Sequence, residues 1–293
     1  YYLEQALEKD PDFAQAHGAM AMLWAARQQM GLMSVQEAAP KAKAAAQRAL
    51  DLDDSVAEAH YALAAIKTWT DWDWEGAEPG FLRAIELKPN WEIVRAYYAH
   101  FLMITGRTEE AIEQMERAVE IDPYSPVVQA LNGVLLENTG QCEEALGFYR
   151  NALEAVPNHP LALGGLVRSN YCLEMYEGTY AAAVENWAAR GRPDAVAALE
   201  SGYTEGGFEG AMSGLAEWKL EKAESDKSIP PCGTAEFNLA AAGRNQEALD
   251  CLELLLEARD PNMPYIGVAV TLRSLRDEPR FQELLRRMNL PAS

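Results

Sequence analysis

Three stretches decide the fold: AEPGFLRAIELKP (77–89), AIEQMERAVEIDP (111–123) and ALGFYRNALEAVP (145–157). Each begins 34 residues after the one before. Four slots stay in register across them: Ala77, Ala111 and Ala145; Phe81, Met115 and Tyr149; Ala84, Ala118 and Ala152; Pro89, Pro123 and Pro157. Gly106 and Gly140 repeat at the same interval, and Ala64, Ala99, Gly133 and Val167 follow at steps of 35, 34 and 34. A fixed period of this length signals stacked units, each leaning on its neighbours to bury its apolar side. Apolar residues three and four apart form one stripe of a helix. The alanines let helices approach closely, and Phe81, Met115 and Tyr149 fill the space beside them. The glycines suit the left-handed turn that ends the first helix of each pair. The prolines end the second helix.

Working outward, AQAHGAM (14–20) matches AEAHYAL (57–63) at a separation of 43, which implies about nine extra residues near GLMSVQEAAP (31–40). Gly243, Ala248 and Leu252 lie 103 residues after Gly140, Ala145 and Tyr149, three periods plus one. The expected organisation is therefore a truncated second helix at 1–13, five repeats over 14–193, an irregular helical repeat at 194–229, a last repeat at 230–263 and a C-terminal helical cap at 264–293. The partner of the first helix would precede Tyr1, so the chain reads as a fragment of something longer.

These residues resemble the tetratricopeptide repeat, a helix–turn–helix unit of about 34 residues. The resemblance implies an all-α fold, a right-handed superhelix or solenoid of paired helices. A narrower likeness rests on AKAAAQRALDLDDSVAEAH (42–60), TDWDWEGAE (70–78) and DEPRFQELLRRMNLP (277–291). It is similar to the C-terminal repeat regions of bacterial signalling proteins, where a winged-helix activator, a serine/threonine kinase or a nucleotide cyclase occupies the N-terminal part.

Composition excludes several functions. The 293 residues carry a net charge of −20 and are 49% apolar. That is too apolar for a disordered chain, and so acidic a surface repels nucleic acid. No apolar run approaches the length of a membrane helix, and VVQALNGVLL (127–136) is already broken by Gln129 and Asn132. Glu4, Glu8, Lys9 and Asp10 interrupt the first ten residues, so these are not expected to be a signal peptide. Cys142, Cys172, Cys232 and Cys251 are separated by 30, 60 and 19 residues, without the close pairs of a zinc knuckle. They read as free buried thiols in a reducing cytoplasm.

The search for chemistry finds no phosphate loop, nucleophile elbow, zinc-protease or EF-hand signature. GYTEGGFEG (202–210) has no lysine and no preceding strand, so it reads as a helix break. His17 and His60 share one packing slot, and His159 lies in a loop between Pro157 and Pro160. Glu109–Glu110 and Glu143–Glu144 open second helices, where negative charge is favoured. Trp72 and Trp74 are expected to seal a joint between helices. The arginines of the cap (273, 276, 280, 286, 287) read as a solvated face. The chain is expected to be no enzyme and to need no cofactor or metal.

The resemblance places the first helix of each pair on the inner surface. Helical phase then brings Tyr61, Trp69, His100, Met103, Asn138, Arg168 and Tyr171 to the concave groove. The lysine and asparagine of the family's carboxylate clamp are missing from the matching positions, which hold Tyr61 and Ala65, then Ala96 and His100. The resulting expectation is a protein-interaction scaffold, the docking or sensory region of a larger signalling protein, gripping an amphipathic helix or peptide of positive charge. Self-association into a homo-oligomer remains an alternative, and an enzyme site within 194–230 a weaker one.

Overall fold

A computed structural model describes residues 2–29, 32–226 and 229–291; Gly31, at the edge of the expected insertion, lies outside them. Among the described residues there are helices and turns and no strand. The helices are α1 (Tyr2–Lys9), α2 (Ala14–Gln29), α3 (Val35–Leu52), α4 (Ala57–Ile66), α5 (Trp74–Leu87), α6 (Glu92–Ile104), α7 (Thr108–Ile121), α8 (Pro126–Asn138), α9 (Cys142–Ala155) and α10 (Pro160–Cys172). They continue with α11 (Tyr176–Ala189), α12 (Pro193–Ser225), α13 (Glu236–Ala241), α14 (Asn245–Glu257) and α15 (Pro279–Arg287). The tightest pairings join helices adjacent in the chain, α2 with α3, α4 with α5, α6 with α7, α8 with α9 and α10 with α11. First helices stack in turn: α2 on α4, α6 on α8, α8 on α10. This is a helical-repeat solenoid.

The repeated slots have the roles their chemistry suggests. Ala77, Phe81, Ala84, Ala111, Met115, Ala118, Ala145, Tyr149 and Ala152 are all buried. Gly106 and Gly140 have φ of +83° and +85°, the left-handed turn that an L-residue resists. Pro126 and Pro160 open α8 and α10, where the missing N–H costs nothing. The His159 ring caps α10 by accepting from the Ala162 amide at 3.4 Å.

A second device repeats with the period. The fourth residue of successive first helices reaches back six residues to a carbonyl in the preceding turn: His17 to Pro11 (2.9 Å), His60 to Asp54 (2.8 Å), Arg95 to Pro89 (3.1 Å) and Gln129 to Pro123 (2.7 Å). The residue types differ, but each offers an N–H of the same reach. Each bond satisfies a carbonyl at the break between repeats.

The region at 193–225 departs from the pattern. Gly206 and Gly207 break α12, and Gly207 adopts φ +62°, ψ −143°, which only glycine occupies comfortably. The two halves fold against each other so closely that a Cβ on Gly202 would sit 2.1 Å from the Gly210 carbonyl oxygen. Trp218 donates to Asp194 across the same hairpin at 3.0 Å. The glycine-rich stretch is thus both a break and a tight helix crossing.

Two expectations are corrected. The cysteines are not free thiols: Cys142 pairs with Cys172 across α9 and α10, and Cys232 with Cys251 across the turn at 231–234 and α14, with Cα separations of 6.3 and 5.7 Å. Sequence spacing concealed this because stacking brings the start of one helix beside the end of another. The cap arginines are not a free solvated face either. Arg280 pairs with Asp250 (2.6 Å) and Glu253 (2.9 Å), and Arg287 with Glu257, docking α15 on α14.

Candidate functional site

The inner surface begins with a distortion. After α4 the chain widens into a π-helical turn (Lys67–Asp71), and Trp72 follows at φ +58°. This extra register turns Trp69 inward and Trp72 and Trp74 toward the C-terminal part of the chain. The Trp74 ring N–H donates to the Met288 carbonyl at 2.8 Å, and the Arg259 guanidinium lies 3.9 Å from the centre of the Trp72 ring. Trp72 and Ile104 belong to the same apolar cluster as Phe281, Leu284 and Met288. The last elements therefore close onto α4–α6.

Between these elements residues 262–276 run as a strap of short 3₁₀ turns, Met263–Tyr265 and Val270–Leu275. Tyr265 and Val268 pack on the cluster that holds Tyr61, Trp69 and Met103. The Tyr265 hydroxyl lies 3.2 Å from Trp69 Nε1 and 3.0 Å from His100 Nδ1, while His100 Nε2 lies 2.9 Å from the Leu131 carbonyl. One assignment satisfies every group. Trp69 N–H donates to the Tyr265 oxygen, the Tyr265 O–H donates to His100 Nδ1, and His100 Nε2–H donates to Leu131. Burial holds the imidazole neutral by lowering its pKa to about 4, with the Leu131 bond opposing. Burial also raises the Tyr265, Tyr61 and Tyr97 phenols, so the cluster is uncharged at neutral pH.

Farther along the strap, the Arg273 guanidinium donates to the Cys172 carbonyl at 3.0 Å at the end of α10. Arg168, also on α10, serves a different network. Its Nε lies 2.5 Å from Oε1 of the buried Glu137, whose other oxygen accepts from the Tyr149 hydroxyl at 2.7 Å. Burial opposes the Arg168 charge, but the adjoining carboxylate outweighs it and raises the pKa of the guanidinium. Burial pushes the Glu137 carboxyl up against the pull of Arg168. Room for the Tyr149 ring comes from two glycines: a Cβ at Gly133 would meet the ring at 2.5 Å and one at Gly165 at 2.1 Å.

The groove residues expected from helical phase thus fall into separate settings. Tyr61, Trp69, His100 and Met103 are buried, with Tyr265 of the strap seated against them. Asn138 donates to the Val134 carbonyl of its own helix at 2.9 Å. Arg168 is engaged by Glu137, and Tyr171 joins an aromatic cluster with Phe208 and Phe237. Tyr265 itself was missed, because MPY (263–265) lies outside the repeat period and offers no signal but an aromatic after a proline. One part of the surface stays open near the N-terminal end, a cavity of about 370 Å³ lined by Ala19, Met22, Glu58, Lys88 and Trp91. There Lys88 pairs with Glu58 and lies 5.2 Å from the centre of the Trp91 ring.

Comparison with known proteins agrees with this geometry. Residues 97–125, which cover most of α6 and all of α7, match the tetratricopeptide repeat family model. Among solved structures, PilW, described as a widely conserved type IV pilus biogenesis factor, superposes with a TM-score of 0.52 at 18% identity over 69% of this chain and 93% of its own. The Pseudomonas aeruginosa pilF protein (TM-score 0.49, 21% identity, 78% of this chain and 98% of its own) is similar. So is YrrB, a TPR protein with an unusual peptide-binding site (0.42, 19%, 66% and 98%). No curated protein matches the sequence. The chain is a helical-repeat solenoid carrying a tetratricopeptide repeat at 97–125.

Proposed function

We propose that the chain is a protein-interaction scaffold, serving as the docking or sensory region of a larger bacterial signalling protein. The observation that carries this reading is the strap: the inner face already holds an irregular stretch of polypeptide by an aromatic anchor and side-chain hydrogen bonds. A surface that grips one such segment is preorganised for another, and little ordering cost falls on the scaffold. The partner is a helix or extended peptide, amphipathic and positively charged. It enters over the open cavity at Met22 and Trp91 and runs toward Asn138, Arg168 and Tyr171. Tyr61, Trp69, His100 and Met103 form the floor beneath Tyr265 and meet a partner only if the strap lifts. The two disulfides favour an oxidising compartment over the reducing cytoplasm expected from cysteine spacing.

The test is site-specific photo-cross-linking in the full chain in cells of the source bacterium. A photoreactive residue in place of Met22 should give partner adducts, one at the exposed Arg117 on α7 should give none, and Trp91→Ala should abolish the Met22 adducts. Adducts that arise equally from both positions, or that survive Trp91→Ala, overturn the inner-face assignment.

A further inference from the structure

Away from the strap-filled face, the turn between α10 and α11 meets the break in α12. Aromatic rings gather there, Tyr176 exposed and Tyr171, Tyr180, Tyr203, Phe208 and Phe237 partly buried against the core. Phe237, Tyr171, Phe208 and Tyr176 form a ladder with ring centres 5.2, 6.1 and 4.8 Å apart. Beside it Tyr180 and Tyr203 stack at 4.1 Å. The ladder surfaces at its outer end, where Tyr176 is 45% and Met175 52% exposed.

The charge around these rings has one sign. The two contributing segments, 171–180 and 200–210, contain Glu174, Glu177, Glu200, Glu205 and Glu209 and no lysine or arginine. All five carboxylates are exposed. Other surface acids are paired with arginine, as Glu78 and Glu110 are with Arg107. Arg273, whose charge reaches Tyr171, donates its guanidinium to the Cys172 carbonyl.

We propose that this aromatic surface is a second docking site, and that its occupant is a basic peptide segment, rich in arginine or lysine, of a partner protein. Guanidinium or ammonium groups stack on the outer, negative ring face of Tyr176, which Phe208 backs from within, with the methylenes of the same side chains over Met175. The flanking glutamates supply the complementary field and speed encounter. The site adjoins the far end of the proposed groove at Tyr171, but its exposed ring, Tyr176, belongs neither to the groove residues nor to the cavity at Met22 and Trp91, so a loss of binding in Tyr176→Ala reads this site alone.

The test titrates a fluorescein-labelled peptide of alternating arginine and alanine into the full chain, with anisotropy as the readout. Tyr176→Ala should weaken binding about tenfold, and Tyr176→Phe, which keeps the ring, should restore it. Glu174→Gln, Glu177→Gln, Glu205→Gln and Glu209→Gln combined should weaken binding by at least as much. A control with the same change in net charge, Glu109→Gln, Glu113→Gln, Glu116→Gln and Glu144→Gln, should leave it within about twofold. Because Tyr176 packs on Phe208, and Glu177 and Glu205 accept from Tyr203 and Ser201, circular dichroism and melting are recorded for every variant and binding is compared at a temperature where each is fully folded. The proposal is overturned if the peptide fails to bind, if Tyr176→Ala binds as the parent does, or if both glutamine sets weaken binding equally. The last result would mean that only the −20 net charge attracts the peptide.

Discussion

The stack of α6–α10 and the closure between the π-helical turn and the C-terminal elements use the same chemistry at very different ranges. In the stack, Tyr149 meets Glu137 twelve residues away and Arg168 meets Glu137 across 31. In the closure, Tyr265 reaches His100 across 165 residues, and Trp74 reaches Met288 across 214. Both regions bury aromatic rings and join them by side-chain hydrogen bonds. The stack could be assembled one repeat at a time, whereas the closure forms only when the whole spiral is in place. A solenoid that closes on itself in this way should lose the independence of its repeats and unfold with more cooperativity than an open one.

Tyr265→Ala should separate the two regions most sharply. It leaves a cavity under the strap and removes partners from Trp69 and His100, so the cost should be about 3–5 kcal/mol in denaturant unfolding. If the closure is a separable flap, the variant will instead show a second, weaker transition while the stack unfolds as before. Within the stack, Gly165→Ala drives a methyl into the Tyr149 ring, and about 3 kcal/mol should be lost. A smaller loss than that of Tyr265→Ala places the greater burden on the long-range contacts, and a larger one reverses the ranking.

A pH series sharpens the comparison through His100. Its folded pKa of about 4 lies below the ordinary 6.5, so the unfolded chain binds more protons between these values. Stability contributed by the neutral ring is present above pH 6.5 and lost as pH falls toward 4, by about 3 kcal/mol in all. The difference between the parent and His100→Gln, measured by denaturant unfolding, should carry this slope. The smallest effect belongs to the exposed pair Arg286–Glu283: Arg286→Ala should leave the denaturant midpoint unchanged within error.

The same contrast explains what could be read from the sequence. The slots of Phe81, Met115 and Tyr149 were legible because a helical repeat imposes one local geometry on each copy, and the turns at Gly106 and Gly140 because a left-handed residue has a distinct chemistry. The reach-back bonds of His17, His60, Arg95 and Gln129 were hidden by the variety of side chains that can perform them. Tyr265 and the Cys232–Cys251 pair were hidden for another reason: both depend on how far the spiral has turned by its last elements, which no local spacing records. Helical phase assigned Trp69 and His100 to the groove; both are buried against Tyr265, and phase alone could not show that the chain's own strap lies there.

A double-mutant cycle on Trp69→Phe and Tyr265→Phe tests the central claim most directly, since it probes one hydrogen bond between residues 196 positions apart. The closed-spiral account predicts that the two losses in unfolding free energy fail to add, with a coupling of about 0.5–1.5 kcal/mol. Additive losses would contradict it, because they would mean that the strap does not rest on the inner face.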